Sequence, residues 1–116
     1  MNLERRLVQG VAIINVEGKM TGLDEPGQLK AQVMGALGAG ERNILLNLGR
    51  VSFVDSSFIG ELVSCCIAVA RVGGSLKLAN PARRVQELLL ITRLTTIIES
   101  FESESIAIAS FKRPPN

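Results

Sequence analysis

Hydrophobic positions along the chain switch between short unbroken runs and helical spacings. Leu7-Val8 and Val11–Val16 read as two strands around Gln9-Gly10, a link of hairpin length, and Gly18 closes the second run. Leu29, Val33, Ala36 and Leu37 then fall at i, i+4, i+7 and i+8, one face of a helix. Ahead of them Thr21 and Asp24 are spaced as a loose capping box, and Pro26 suits a first helical turn. Gly38 and Gly40 stop that helix. Ile44–Leu48 is apolar enough to be a central strand. A loop ending in Asp55-Ser56-Ser57 follows, and residues 56–72 read as a long helix broken by Gly73-Gly74. Leu76-Lys77-Leu78 is another strand. Asn80-Pro81 marks a helix start, with Asn as cap and Pro at the first position, and Val85, Leu88, Leu89 and Thr92 give that helix its apolar face. Ile97-Ile98 reads as a last short strand, 103–111 as a short terminal helix, and 112–116 as a fraying tail. Strands alternating with helices from residue 11 onward predict an α/β domain over 1–111 with a mixed, partly parallel sheet.

The helix after Asp55 is more apolar than its own core requires. On a wheel, Ile59, Leu62, Val63, Cys66, Ile67 and Ala70 cluster on one side, and Phe58, Cys65, Val69 and Val72 extend the arc to roughly 220°. A surface helix needs a stripe of just over ~100°. Either deep burial or a partner surface accounts for the excess.

Composition narrows the chemistry. The 116 residues suit one domain, and 47% hydrophobic against 21% charged residues marks a folding chain. A net charge of +2 is too small a bias for nucleic acid or anionic lipid. The only aromatics are four Phe, so no stacking platform for single strands exists. There is no histidine, which removes Ser–His and Cys–His catalysis and most zinc sites. Cys65 and Cys66 are neighbours on a helix and diverge by about 100°, so they read as small buried hydrophobes in a reducing compartment. Glu99, Glu102 and Glu104 read as a solvated acidic group, and Arg83 and Arg84 as an exposed pair. The opening Met1-Asn2-Leu3-Glu4-Arg5-Arg6 does not resemble a secretory leader, and no apolar stretch approaches the roughly 20 residues of a membrane span. The expectation is a cytoplasmic protein without cofactor, metal or catalytic activity.

Asp55-Ser56-Ser57 carries the one candidate switch. One of the three caps the helix, and the unpaired N–H groups there, with the helix dipole, favour negative charge. A phosphate on a serine would add about −1.5 to −2 charge and change that surface in one step. A kinase must supply it, since the chain has no base, metal site or phosphate loop of its own.

Asn47–Gly60, with Asp55-Ser56-Ser57 inside it, resembles the signature of the STAS domain, found in bacterial anti-sigma factor antagonists and at the ends of sulphate transporters. Arg71–Leu90 and Thr92-Arg93-Leu94 are similar to the family too. The resemblance implies a sheet of four or five strands with about four helices. It implies phosphorylation at Ser56 by an anti-sigma factor serine kinase that the unmodified protein binds, with a serine phosphatase to reset it. It implies a partner-binding surface at Asp55, Ser57, Phe58, Ile59 and Leu62. Relatives most often have Gly where Phe58 stands, so a bulky ring is expected to enlarge the exposed apolar patch. They often carry an acid where Thr21 stands. The alternative is a non-catalytic STAS scaffold subunit of a regulatory or transport-associated assembly, and homodimerisation stays open.

Overall fold

The computed structural model describes residues 2–20 and 27–112. Strands β1 (Asn2–Val8) and β2 (Val11–Met20) form an antiparallel hairpin in which Val8 lies opposite Val11. Gln9 (φ 51°) and Gly10 (φ 79°) both take the left-handed conformation that a two-residue turn of matching twist needs. Gly18 does not end β2. It sits at φ 102° beside a shift of register, so the strand bulges there and resumes its pairing through Met20.

Helix α1 (Gln28–Gly38) buries Leu29, Val33, Ala36 and Leu37, the face expected from their spacing. It ends on Gly40, whose N–H reaches the Leu37 carbonyl at 3.0 Å while the Glu41 N–H reaches that of Ala36 at 3.1 Å. The capping box expected at Thr21 and Asp24, and the place of Pro26, lie outside the described residues.

Strand β3 (Asn43–Val54) is the middle of the sheet and is longer than its apolar core suggests. The loop expected before Asp55 is absent. Residues 50–54 stay extended because they pair with the far end of β2: Glu17 with Arg50, Gly18 with Val51, Lys19 with Phe53 and Met20 with Val54. The chain passes from strand to helix at Asp55. Helix α2 (Ser56–Arg71), β4 (Ser75–Ala79) and α3 (Arg83–Ile91) follow.

Two further expectations fail beyond β4. Asn80 does not cap α3. Its backbone is left-handed (φ 55°) and its carboxamide donates to Asn47 Oδ1 at 3.3 Å, so α3 starts three residues later, after Ala82 and without a side-chain cap. Ile97-Ile98 is not a strand. Arg93 (φ 61°) turns the chain into a 3-10 turn at Leu94–Thr96, and Ile98 tucks inward with its N–H on the Leu94 carbonyl at 2.9 Å. The last strand is β5 (Ser100–Phe101), and α4 (Glu104–Ser110) closes the described chain with Ser103 as its cap.

The five strands lie in the order β1-β2-β3-β4-β5, with only the β1–β2 pair antiparallel. Among the described residues this is the mixed sheet with four helices that the alternation of elements implied. Its faces are unequal. Ala12, Ile14, Val16, Ile44, Leu46, Leu48, Leu76 and Leu78 pack against α1, α2 and α3 in the main core. On the other face Val11, Ile13, Leu45 and Ala79 are covered by Ala107 and Ile108 of α4. Apolar residues on both faces explain the unbroken run Ile44–Leu46.

Candidate functional site at the start of the central helix

The site is assembled from the end of β3 and the first turns of α2. Asp55 is extended (φ −120°, ψ 179°) and its Oδ1 accepts the Phe58 N–H at 3.1 Å. The acid, not a serine, therefore caps α2. Ser56 and Ser57, the first two helical residues, are both exposed. Their hydroxyls stand in a first turn that holds no acidic side chain of its own, at the positive end of a helix of 16 residues.

The other residues expected at this surface divide. Ile59 is half-buried beside the core. Phe58 is 3% exposed and Leu62 is fully buried, and both belong to the main core. The Phe58 ring therefore does not enlarge an exposed patch. It anchors the first turn of α2 under the sheet. The buried stripe of α2 is Phe58, Leu62, Cys65 and Val69, all within the arc read on the wheel: Leu62 belongs to its clustered side and the other three to its extension, while Ile59, Val63 and Cys66 are half-buried and Ile67 and Ala70 exposed. A helix with so few charges gives the wheel no polar side to orient it. The remaining excess of apolar surface is real but lies near the far end of α2, where Ile67 is 50% exposed and Val72 is exposed.

Two residues near the site were not singled out by sequence. Phe53 is 51% exposed on the last turn of strand before Asp55, so the aromatic ring at the surface is this one and not Phe58. Glu61, which in the sequence only interrupts an uncharged stretch, reaches from α2 to the start of α1. Its Oε1 accepts the Gly27 N–H at 3.2 Å and its Oε2 the Lys30 N–H at 2.9 Å. Gly27 offers α1 no side-chain cap, and Glu61 fills that role from the neighbouring helix. Its one sequence signal was being the only acid in α2.

Cys65 and Cys66 are free thiols. Burial, followed by the negative charge of Glu61, pushes the Cys65 thiol up to about 12, and burial pushes Cys66 up to about 11. Both stay protonated at neutral pH, which is the opposite of an activated nucleophile. The acidic group near the C-terminal end is not uniformly solvated. Glu104 Oε2 accepts from Arg6 Nη2 and from Asn47 Nδ2, linking α4 to β1 and β3. Burial by itself raises its pKa, but the hydrogen bonds from Arg6 and Asn47 and the charge of Arg6 hold it below the ordinary glutamate value. Glu99 pairs with Lys77 at 3.5 Å. Arg83 and Arg84 are exposed as expected, with Arg83 at 3.6 Å from Glu87. Among the described residues no group of three His, Cys, Asp or Glu side chains could hold a metal ion, and no helix is long and apolar enough to cross a membrane.

Residues 2–107 match the family model of the STAS domain. The chain belongs to the STAS family. This STAS chain is 26% identical over 112 residues to BtrV of Bordetella bronchiseptica, a candidate anti-sigma factor antagonist, covering 97% of the chain and 96% of that protein. It is 36% identical over 72 residues to the TM1081 homologue of Thermotoga neapolitana, also a candidate anti-sigma factor antagonist. That match covers 62% of this chain and 64% of the relative. The crystal structure of a candidate anti-sigma factor antagonist from Thermotoga maritima superposes with a TM-score of 0.88 at 24% identity, covering 96% of this chain and 95% of that one. The STAS fold is thus shared along nearly the whole described chain.

Proposed function

We propose that this protein is an anti-sigma factor antagonist: a non-catalytic module that docks an anti-sigma factor serine kinase through the start of α2 and is switched off by phosphate on Ser56. The observation that carries the reading is the placement of Ser56. It is exposed, it is the first helical residue after the Asp55 cap, and Asp55 leaves it free of the capping role. A phosphate there meets the positive end of α2, so the folded state tolerates it. A docking partner meets instead a doubly charged group where a neutral hydroxyl stood, and loses contact. Asp55, Ser57 and the edge of Ile59 complete the docking surface. Phe58 and Leu62 support it from beneath. The two thiols, both held protonated, fit a protein that binds rather than reacts. A serine phosphatase restores the binding form.

Incubation with the kinase of the same organism and ATP, followed by intact mass and peptide mapping, tests the assignment. One added phosphate on Ser56 is expected, and a phosphate that maps elsewhere removes Ser56 from the role. In a pull-down Ser56→Asp weakens kinase capture, and Ser56→Ala retains it.

A second reading, a scaffold subunit of a larger STAS assembly, draws on Leu90, Ile91 and Ile97, which are all exposed. Light scattering after size exclusion separates the two. A stable large oligomer without kinase favours the scaffold, and a monomer or weak dimer favours the antagonist.

A further inference from the structure

We propose that Glu61 couples the first turn of α2 to the start of α1, so that negative charge placed at Ser57 repels the Glu61 carboxylate, weakens its hold on the Gly27 and Lys30 amides and loosens α1. The inference rests on the reading that the first turn of α2 is where switching charge is placed, and it concerns charge on the second serine, Ser57, as distinct from the phosphate on Ser56.

The geometry carries it in three steps. Glu61 is the side chain that satisfies the Gly27 and Lys30 N–H groups, at 3.2 and 2.9 Å. These are the cap position and the third residue of α1, and Gly27 brings no side chain to replace the bond. A helix end without a partner for such donors frays. Ser57 lies four residues before Glu61 on α2, which stacks the two on one helical face. Ser56 lies five residues before it and points away by a further ~100°. Like charges at the four-residue spacing repel, while the Glu61 bonds to α1 are partly solvent-facing and can be released. The same added charge stabilises α2 itself, since it sits at the positive end of that helix. The two helices therefore respond with opposite signs: α2 tightens and α1 loosens at its start.

The two serines of the motif consequently do different work. Charge at Ser56 alters the docking surface. Charge at Ser57 also releases the neighbouring helix. Glu61 is a positioning residue here, acting through the α1 backbone and touching no partner.

Hydrogen exchange of the isolated protein, followed amide by amide, tests the coupling without any kinase. In Ser57→Asp the Gly27 and Lys30 amides are expected to exchange about twofold faster or more, while Glu61 and Leu62 amides keep or gain protection. Ser57→Asn, of the same shape without charge, leaves α1 unchanged, and Ser56→Asp shifts it less than Ser57→Asp. In the Glu61→Gln background the added effect of Ser57→Asp at Lys30 disappears. Equal loosening by Asp and Asn at position 57, or equal effects from positions 56 and 57, overturns the proposal. So does an unchanged α1 in Ser57→Asp. Such a result leaves the docking role of Ser56 standing, because that role is read by kinase capture. Undiminished kinase capture by Ser56→Asp, with the exchange pattern as expected, has the reverse meaning.

Discussion

Helices α2 and α3 both begin just after a parallel strand, behind a polar residue that the sequence offers as a cap, and only one of them uses it. At α2, Asp55 continues the line of β3 and turns its carboxylate onto the Phe58 N–H. At α3, Asn80 is pulled sideways into a left-handed backbone by its bond to Asn47, and Ala82 stands at the cap position with nothing to offer. The difference lies in what each polar group can reach. Asp55 Oδ1 lies on the Phe58 N–H, whereas the Asn80 carboxamide lies on Asn47 Oδ1, which also accepts the Gly49 N–H at 3.0 Å. A cap signal is local, and a side chain within reach across a sheet overrides it. The lesson for function is that α2 starts at a fixed place with its serines free, while the start of α3 was set by packing.

Four changes break or sharpen that contrast. The largest effect is expected from Phe58→Ala, which empties the core beneath the first turn of α2. It should cost about 3–5 kcal/mol, read from urea unfolding midpoints. A loss below about 1 kcal/mol would mean that the ring is not the anchor described. Next, Asp55→Ala should cost about 1 kcal/mol, because the Phe58 N–H loses its acceptor. Ala82→Asp should do the opposite at α3 and stabilise by about 0.5–1 kcal/mol. Its backbone is already extended (φ −61°, ψ 156°) and no cap is present to displace. If Ala82→Asp gains nothing while Asn80→Ala costs as much as Asp55→Ala, the contrast between the two starts is wrong.

The smallest effect concerns α4, which is capped by Ser103 and carries Glu104 in its first turn. The folded pKa of Glu104 is depressed, so its contribution is present at neutral pH and is lost as pH falls through the folded value. The stability difference between the wild type and Glu104→Gln should therefore shrink as the pH is lowered from about 6 to about 3. A difference that is flat across that range would detach Glu104 from Arg6 and Asn47.

Much of the architecture was legible because it rests on periodicity. The buried residues of α1 follow their spacing, the Gln9-Gly10 turn follows its length, and the central place of Ile44–Leu48 follows from apolar residues on both faces. What escaped depends on contacts far apart in sequence. Residues 50–54 look like a loop until β2 supplies a partner, and Gly18 looks like a strand end until the register shift shows it to be a bulge. The wheel for α2 held the four buried residues within its arc but could not single them out, because apolar side chains surround the helix and only the sheet decides which four face inward. Ile97-Ile98 has strand-forming residues, but Arg93 turns the chain first. At the candidate site, Asp55 and Ser56 could be read from the motif alone. Glu61 could not, since its role is to finish a helix whose Lys30 N–H lies 31 residues earlier.

Calorimetric titration of the kinase with the unmodified protein, and with protein carrying phosphate only on Ser56, addresses the central claim most directly. The account predicts that phosphate lowers affinity at least about tenfold, near 1.4 kcal/mol, with Ser56→Ala binding like the unmodified form. Equal affinity of the phosphorylated and unmodified proteins would contradict it.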